Sequence, residues 1–390
     1  MMEDLRIGVV GFGLRRSVAL HAHRPGEGSR IVAVLDPAER AHRDAAEKVG
    51  PECAAYTSMD EFLAHGLDAV MVVSPDYTHK DITLRTLAAG LPTFCEKPLA
   101  ISIPDADAIL TAARDSGTKL YVGHNMRHMP VVRQMKALID AGTIGRVRSV
   151  WCRHFVGAGG DFYFKDWHAD RSLVNTLLLQ KGAHDLDVIH WLAGGYTAEV
   201  SGMGDLMVYG DITDRRDNSD RLMWDWYSQD NWPPTAQKEL NPVVDVEDIS
   251  LLNLRLDNGV LATYQQCHFT PDYWRNYTVI GDAGRIENIG DSGGDQINIW
   301  TSRRSGARTP DHVEVIDRGD GGHGGADPSL VAEFLRFVRD GGATEVSTVA
   351  ARQAVAVACM GAESIRSGGA PMTVPPLDPE LVRYFDRWQE

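Results

Sequence analysis

Arg6-Ile7-Gly8-Val9-Val10-Gly11-Phe12-Gly13 is an apolar, strand-forming run that ends in a Gly-x-Gly turn. β-Branched side chains such as Ile7, Val9 and Val10 favour a strand. A turn that must approach a pyrophosphate closely needs residues without a Cβ, here Gly11 and Gly13. Arg16 stands where a third glycine would complete that fingerprint. The next strand, Arg30 to Leu35, ends at Asp36, whose carboxylate can accept hydrogen bonds from an adenosine ribose and would repel a 2′-phosphate. The turn Gly11, Phe12, Gly13, Leu14, Arg15 and Arg16, with Asp36, therefore reads as a cofactor site for NAD rather than NADP. Arg15, Arg16 and Arg40 are nearby cations that could serve a phosphate or stay solvated.

Beyond this turn the first third of the chain alternates strand-like and helix-like segments, the signature of a parallel sheet with helices on its faces. Further strands read at Ala69 to Val73, Pro92 to Cys95 and Lys119 to Val122. Helices read at Met59 to Ala64, Lys80 to Ala89 and Ile103 to Ser116, the last with Pro104 near its start. Ser74-Pro75-Asp76-Tyr77-Thr78-His79 follows an apolar run directly, which puts it at the carboxyl end of the sheet, where ligands bind in doubly wound folds. His79 reads equally as a cofactor neighbour or as a cap and packing residue.

After Asn125 the pattern changes. A helix is expected over Pro130 to Ala141, a strand over Arg146 to Phe155, and one long helix over Asn175 to Leu192. Alternating strands follow at Ile249 to Leu256 and Val260 to His268, joined by the hairpin signal Asp257-Asn258-Gly259, then at Tyr277 to Ile280, Arg285 to Ile289 and Gln296 to Thr301. The expected fold is α/β: a doubly wound Rossmann domain over 1–124 and an α+β domain over 125–390 with a large, open, mostly antiparallel sheet. Residues 209–244, with Trp224, Trp226 and Trp232, fit neither pattern and read as an ordered insertion, a lid or an interface.

Composition agrees. The 390 residues exceed what a single core usually organises, and 43% hydrophobic with 24% charged residues suits two soluble domains. A formal charge of −15 argues against nucleic acid or an anionic membrane as partner. The five cysteines are scattered and never spaced as a CxxC pair, which points to a reducing compartment and to no metal site. Only Met1 to Leu5 precede the first strand, too few for a signal peptide, and no run of about 18 apolar residues occurs. A cytoplasmic protein is expected.

The segment Glu96-Lys97-Pro98-Leu99 is more specific. With GFG at 11–13, SPDYTH at 74–79, VGHNMRHMP at 122–130 and GAHDLDVIHWL at 182–192, the chain resembles the family of glucose-fructose oxidoreductase, inositol dehydrogenase and MocA (Gfo/Idh/MocA). YTVIGDAGRIE at 277–287 and AESIRSG at 362–368 extend the likeness. The resemblance implies a bound nicotinamide cofactor, a sugar or cyclitol substrate, and dimers or tetramers formed through the second sheet. It also implies that Lys97 is the active-site lysine, His184 the active-site histidine and Asp187 the aspartate that follows it. Gln180 stands where inositol dehydrogenases carry an aspartate, and Asp76 where asparagine is usual.

Oxidising a secondary alcohol requires the hydroxyl proton to leave as hydride departs, and histidine, with an ordinary pKa of about 6.5, is suited to take it. Lys97 could stabilise the same oxygen or act as the base itself, and the residues do not separate these roles. On one helix Gln180, His184 and Asp187 would share a face, while Lys181 and Asp185 read as an exposed pair. Asn125, Arg127, Trp167, His168 and Arg171 are the further substrate-binding candidates. Ser74, Pro75, Asp76, Tyr77, His79, Glu96, Lys97 and Asn125 complete the cofactor set. The leading expectation is an NAD-dependent dehydrogenase acting on CH-OH of a sugar, glycoside or cyclitol. The alternatives are an NAD-dependent glycosidase that oxidises transiently, eliminates and re-reduces, and a non-catalytic sugar-binding relative.

Overall fold

The expected parallel sheet is present in the computed structural model, which describes residues 3–303, 306, 308–319, 322–387 and 389. Among these residues it has six strands: β1 (Leu5–Val10), β2 (Ser29–Leu35), β3 (Ala54–Tyr56), β4 (Ala69–Val72), β5 (Thr93–Cys95) and β6 (Leu120–Val122). They lie parallel in the order β3-β2-β1-β4-β5-β6, which is the doubly wound order with its switch point between β1 and β4. All five strands read from the sequence are there. The sixth, β3, has three residues, too short for a periodic signal. The helix Ile103–Ser116 matches its expected bounds because its ends are punctuated: Ser102 accepts a hydrogen bond from Asp105 N, and Gly117 turns left-handed at φ 64°.

The compact unit built on this sheet comprises Met1–Asn125, Ala326–Arg352 and Leu377–Glu390. A contiguous division at residue 124 therefore does not describe it. The reason lies in its core, where Leu330, Val331, Phe334 and Phe337 of the helix Gly322–Asp340 pack with Ile7, Val9, Met71, Phe94 and Tyr121. Phe334 sits edge-on to Phe94 with centroids 5.6 Å apart, and Glu333 accepts a hydrogen bond from Tyr121 OH at 2.7 Å. Without that helix one apolar face of the sheet would be open to water.

The second unit, Met126–Gly325 with Gln353–Pro376, carries the other sheet. Among the described residues it has nine strands: β7 (Val147–Phe155), β8 (Thr197–Asp205), β9 (Ile249–Leu256), β10 (Leu261–Cys267), β11 (Trp274–Gly281), β12 (Arg285–Ile289), β13 (Gln296–Trp300), β14 (His312–Val315) and β15 (Met372–Thr373). Their order is β14-β13-β12-β11-β7-β10-β9-β8-β15, antiparallel except for the β10–β7 pair. The Asp257-Asn258-Gly259 hairpin joins β9 to β10, with Gly259 at φ 84°. On one face Cys152, Tyr264 and Leu252 are buried; in-register neighbours on the other leave Trp151, Leu251, Leu261 and Met203 exposed.

The helix expected over Asn175 to Leu192 is broken. Leu177–Gln180 forms one turn, capped by Thr176, and the helix restarts as Ala183–Ala193 after Lys181 and Gly182. Gly182 belongs at the break, because a Cβ there would lie 2.6 Å from the Leu178 carbonyl oxygen. Residues 209–244, all among the described residues, hold three short 3-10 turns and no longer helix or strand. They are pinned by buried Asp161, which accepts from Asn231 Nδ2 at 2.7 Å and Gln237 Nε2 at 2.9 Å while its carbonyl accepts from Trp226 Nε1 at 2.8 Å. Among the described residues no helix is long and apolar enough to cross a membrane.

Candidate active site

Every cofactor-binding candidate lies at the carboxyl ends of the parallel strands. Gly11 to Arg16 follow β1, Asp36 follows β2, Ser74 to His79 follow β4, Glu96 and Lys97 follow β5, and Asn125 follows β6. Gly11 adopts φ +83°, and a Cβ on it would sit 2.6 Å from Ser74 Cα, so the turn after β1 touches the turn after β4. A Cβ on Gly13 would meet no atom within 4 Å among the described residues, so the protein's own packing does not demand glycine there. Asp36 is locked beside this turn, its Oδ2 accepting from Phe12 N at 2.8 Å and its Oδ1 from Ala38 N at 2.9 Å. These bonds leave further lone pairs on each oxygen for a ribose hydroxyl. An open-sided glycine turn with a fixed carboxylate fits a nicotinamide dinucleotide.

The two arginines of the turn have protein partners. Arg16 donates to Gly13 O at 2.8 Å and pairs with Asp44 at 3.4 Å. Arg15 pairs through Nε, at 2.8 Å, and NH2 with the buried carboxylate of Glu96. The other oxygen of Glu96 accepts from the backbone N–H of Lys97 at 2.8 Å, so the Arg15–Glu96 pair grips the main chain of the half-buried lysine. Asn125 is wholly buried and donates to Asp327 Oδ1 at 2.6 Å. Tyr77 is exposed and Phe12 buried.

In the second unit His184 and Asp187 lie on Ala183–Ala193, whereas Gln180 ends the preceding turn, so the three do not share one helix. All three are buried. Asp187 binds Arg127 through both carboxylate oxygens, at 2.7 and 2.8 Å. The rings of Trp167 and His168 stack 3.8 Å apart, and His168 Nδ1 donates to Asp166 at 2.6 Å. Arg171 lies at the surface, bonded to Asp245 O at 2.6 Å and Glu247 at 3.4 Å, part of a brace that also holds Arg366.

The sequence missed the polar centre of this unit. Asp185, read as exposed, is wholly buried. It accepts from His154 Nδ1 at 2.8 Å, Tyr264 OH at 3.0 Å and Tyr277 OH, and faces Arg275 Nε at 3.1 Å. Burial alone would raise its pKa, but Arg275, His154 and Tyr277 hold it well below the usual carboxylate range. Burial and Arg275 together push His154 down to about 3, so it is neutral. His268, also buried, is held well below the usual histidine range by burial, His154 and Lys181. Among the described residues neither ring nitrogen of His268 nor Nε2 of Gln266 has a hydrogen-bond partner. His268 packs 5.2 Å from the ring of Tyr163, which in turn lies 5.6 Å from His168. No group of three or more His, Cys, Asp or Glu among the described residues is arranged to hold a metal ion.

Residues 5–124 match a family described as an oxidoreductase family with an NAD-binding Rossmann fold, and residues 132–287 match the GFO/IDH/MocA C-terminal domain. The chain belongs to the GFO/IDH/MocA family. Oxidoreductase YteT of Bacillus subtilis is 26% identical over 308 residues, covering 69% of this chain and 72% of that one. An inositol 2-dehydrogenase of Ralstonia nicotianae is 33% identical over 193 residues, 49% of this chain and 55% of the relative. A 2,7-anhydro-N-acetylneuraminate hydratase of Mediterraneibacter gnavus is 29% identical over 212 residues, 52% and 53% of the two chains. The chain thus spans about half the length of these last two relatives. Among solved structures, levoglucosan dehydrogenase in complex with NADH and levoglucosan superposes with a TM-score of 0.78 over 96% of this chain and 100% of that one, at 17% identity. That likeness establishes a shared fold.

Proposed function

We propose that this GFO/IDH/MocA protein oxidises a secondary hydroxyl of a sugar, glycoside or cyclitol with NAD, using Lys97 and His184 to manage the hydroxyl proton. The observation that carries this is the gathering of the glycine turn, Asp36 and the Glu96-gripped Lys97 at one sheet edge. Relatives named for inositol 2-dehydrogenase and levoglucosan dehydrogenase activity support the substrate class.

Gly11, Phe12, Gly13 and Asp36 would hold the dinucleotide and Ser74 to Tyr77 would flank it, whereas His79, expected in the cofactor set, is wholly buried with both ring nitrogens on main-chain carbonyls. When bound, the cofactor supplies a hydride acceptor. His184 and Lys97 divide two tasks, taking the hydroxyl proton and stabilising the negative charge that develops on its oxygen. NAD is favoured over NADP because the Asp36 carboxylate stands at the glycine turn and Arg16 is committed to Asp44 and Gly13. Asn125, Arg127, Gln180, Asp187, Trp167, His168 and Arg171 are proposed to serve the substrate side, several of them by holding neighbours in place.

A second reading is a reaction with no net redox change, in which transient oxidation permits elimination or hydration before the hydride returns. The relative named as a hydratase supports it. The deciding experiment is a screen of purified protein with NAD⁺ against sugars, cyclitols, anhydro-sugars and aryl glycosides, following both NADH absorbance and product release. NADH accumulation carries the dehydrogenase reading; NAD⁺-dependent product without NADH carries the other. Lys97→Met and His184→Ala should each lower turnover by about 10²–10⁴, and activity near wild type in both would remove them from the reaction.

We also propose a homodimer or homotetramer paired through the sheet face that carries Trp151, Leu251, Leu261 and Met203, each at least 40% exposed. A cytoplasmic setting is proposed as well, supported by five cysteines that form no disulfide.

A further inference from the structure

His79 is wholly buried, and both ring nitrogens face main-chain carbonyl oxygens, Nδ1 at 2.7 Å from Pro98 O and Nε2 at 2.9 Å from Ser74 O. A neutral imidazole carries one N–H, so it can satisfy only one of two carbonyls and must turn a lone pair toward the other. A doubly protonated ring satisfies both. The first turn of the helix His79–Ala88 disfavours a cation, and so does burial. Asp76 in the preceding turn and the Pro98 carbonyl favour one. The balance raises the pKa of His79 to about 10.

The two carbonyls belong to different loops. Ser74 is the residue whose backbone lies against Gly11 of the cofactor turn. Pro98 follows Lys97, whose N–H is already held by Glu96. One buried side chain thus ties the loop touching the glycine turn to the loop carrying the lysine. The geometry points to His79 as a positioning residue: an imidazolium whose two N–H groups fix the Lys97–Pro98 step against the Gly11–Ser74 contact. This goes beyond the proposed reaction and needs only that the unit binds NAD, so it can fail or hold whatever the substrate proves to be.

The sign is set by the direction of the shift. A histidine whose folded pKa lies above the ordinary value contributes fully below about 6.5 and loses its contribution as pH rises through about 10. In full-length protein labelled with ¹⁵N-histidine, one ring should keep both nitrogens protonated at pH 9, and this signal should vanish in His79→Gln. Calorimetric titration with NAD⁺ should give an affinity that is level from pH 7 to 9 and weakens toward 10. In His79→Gln the affinity should be about tenfold weaker at pH 7 and lack the extra alkaline step, a tenfold change being about 1.4 kcal/mol. A residue that merely packs would lower the melting temperature of the variant and leave the two pH curves parallel, so parallel curves overturn the proposal. Absence of any doubly protonated ring at pH 9 in the wild type also overturns it, and that spectrum decides the charge even if His79→Gln does not fold.

Discussion

Arg127 and Asp187 clasp each other out of water, with Nε to Oδ2 at 2.8 Å, NH2 to Oδ1 at 2.7 Å, and side chains only 6% and 1% exposed. Asp187 sits three residues beyond His184, so the pair fixes the helix that presents the histidine. Removing one partner leaves a buried charge without its counter-charge. Asp187→Ala should therefore cost about 3–5 kcal/mol in urea unfolding, and Arg127→Met with Asp187→Leu should cost less than the sum of the single changes. A loss below about 1 kcal/mol for Asp187→Ala would mean the pair is not load-sharing in solution.

Gly11 and Gly13 should respond oppositely to alanine. At Gly11 the added Cβ meets Ser74 at 2.6 Å and the backbone has φ +83°, so Gly11→Ala should lose more than about 2 kcal/mol of stability. At Gly13 the same carbon meets no protein atom within 4 Å. Gly13→Ala should keep its unfolding midpoint while NAD⁺ affinity falls about tenfold or more. Unchanged affinity in Gly13→Ala would take the cofactor away from this turn.

Acid should unfold the protein early. His154 and His190 are pushed down to about 3 and about 4, each with burial as the main cause. Groups whose pKa is depressed by folding give stability that is complete above the ordinary value of about 6.5 and lost as pH falls toward the folded value. Each contributes a slope of up to about 1.4 kcal/mol per pH unit in that window. His79 has the opposite sign and costs stability only as pH rises from about 6.5 toward 10. Urea midpoints measured from pH 4 to 8 should fall on the acid side, and His154→Gln should flatten the slope. Equal slopes in variant and wild type would contradict a buried, neutral His154.

Asp161 should decide whether 209–244 stays docked. It is 1% exposed and collects Asn231, Gln237 and, at 3.4 Å, Lys165. Asp161→Ala leaves half-buried Asn231 and buried Gln237 only their long bonds to Trp226 O and Asn231 O, both 3.4 Å, and takes the carboxylate from buried Lys165, at about 1–3 kcal/mol in all. Limited proteolysis should then cut within 209–244 while the first unit stays intact; a protected segment would show that Tyr209 stacked on Phe164 suffices to hold it.

How much of this was legible depended on distance along the chain. Strands, the Ile103–Ser116 helix and the motif loops are written in local residues, so β1, β2, β4, β5 and β6 and their terminal loops could be read directly. Partners far apart in sequence could not. Nothing near Asn125 announces Asp327, and nothing near Asp185 announces Arg275, so a carboxylate at the centre of a buried cluster looked like one half of a surface pair. The break at Gly182 was missed for a related reason. Helical periodicity carries across a single glycine, and the obstruction, the Leu178 carbonyl, exists only once the turn has formed.

The return of Phe334 and Phe337 to the first sheet gives the two ends of the chain a common fate. During synthesis, β1 to β6 emerge roughly two hundred residues before the aromatic side of their own core, and so depend on an unfinished nucleus until it arrives. A fragment ending at residue 124 would expose Phe94 and Tyr121 and should aggregate rather than bind nucleotide. Damage to the helix Gly322–Asp340 should be felt first at the glycine turn hundreds of residues away.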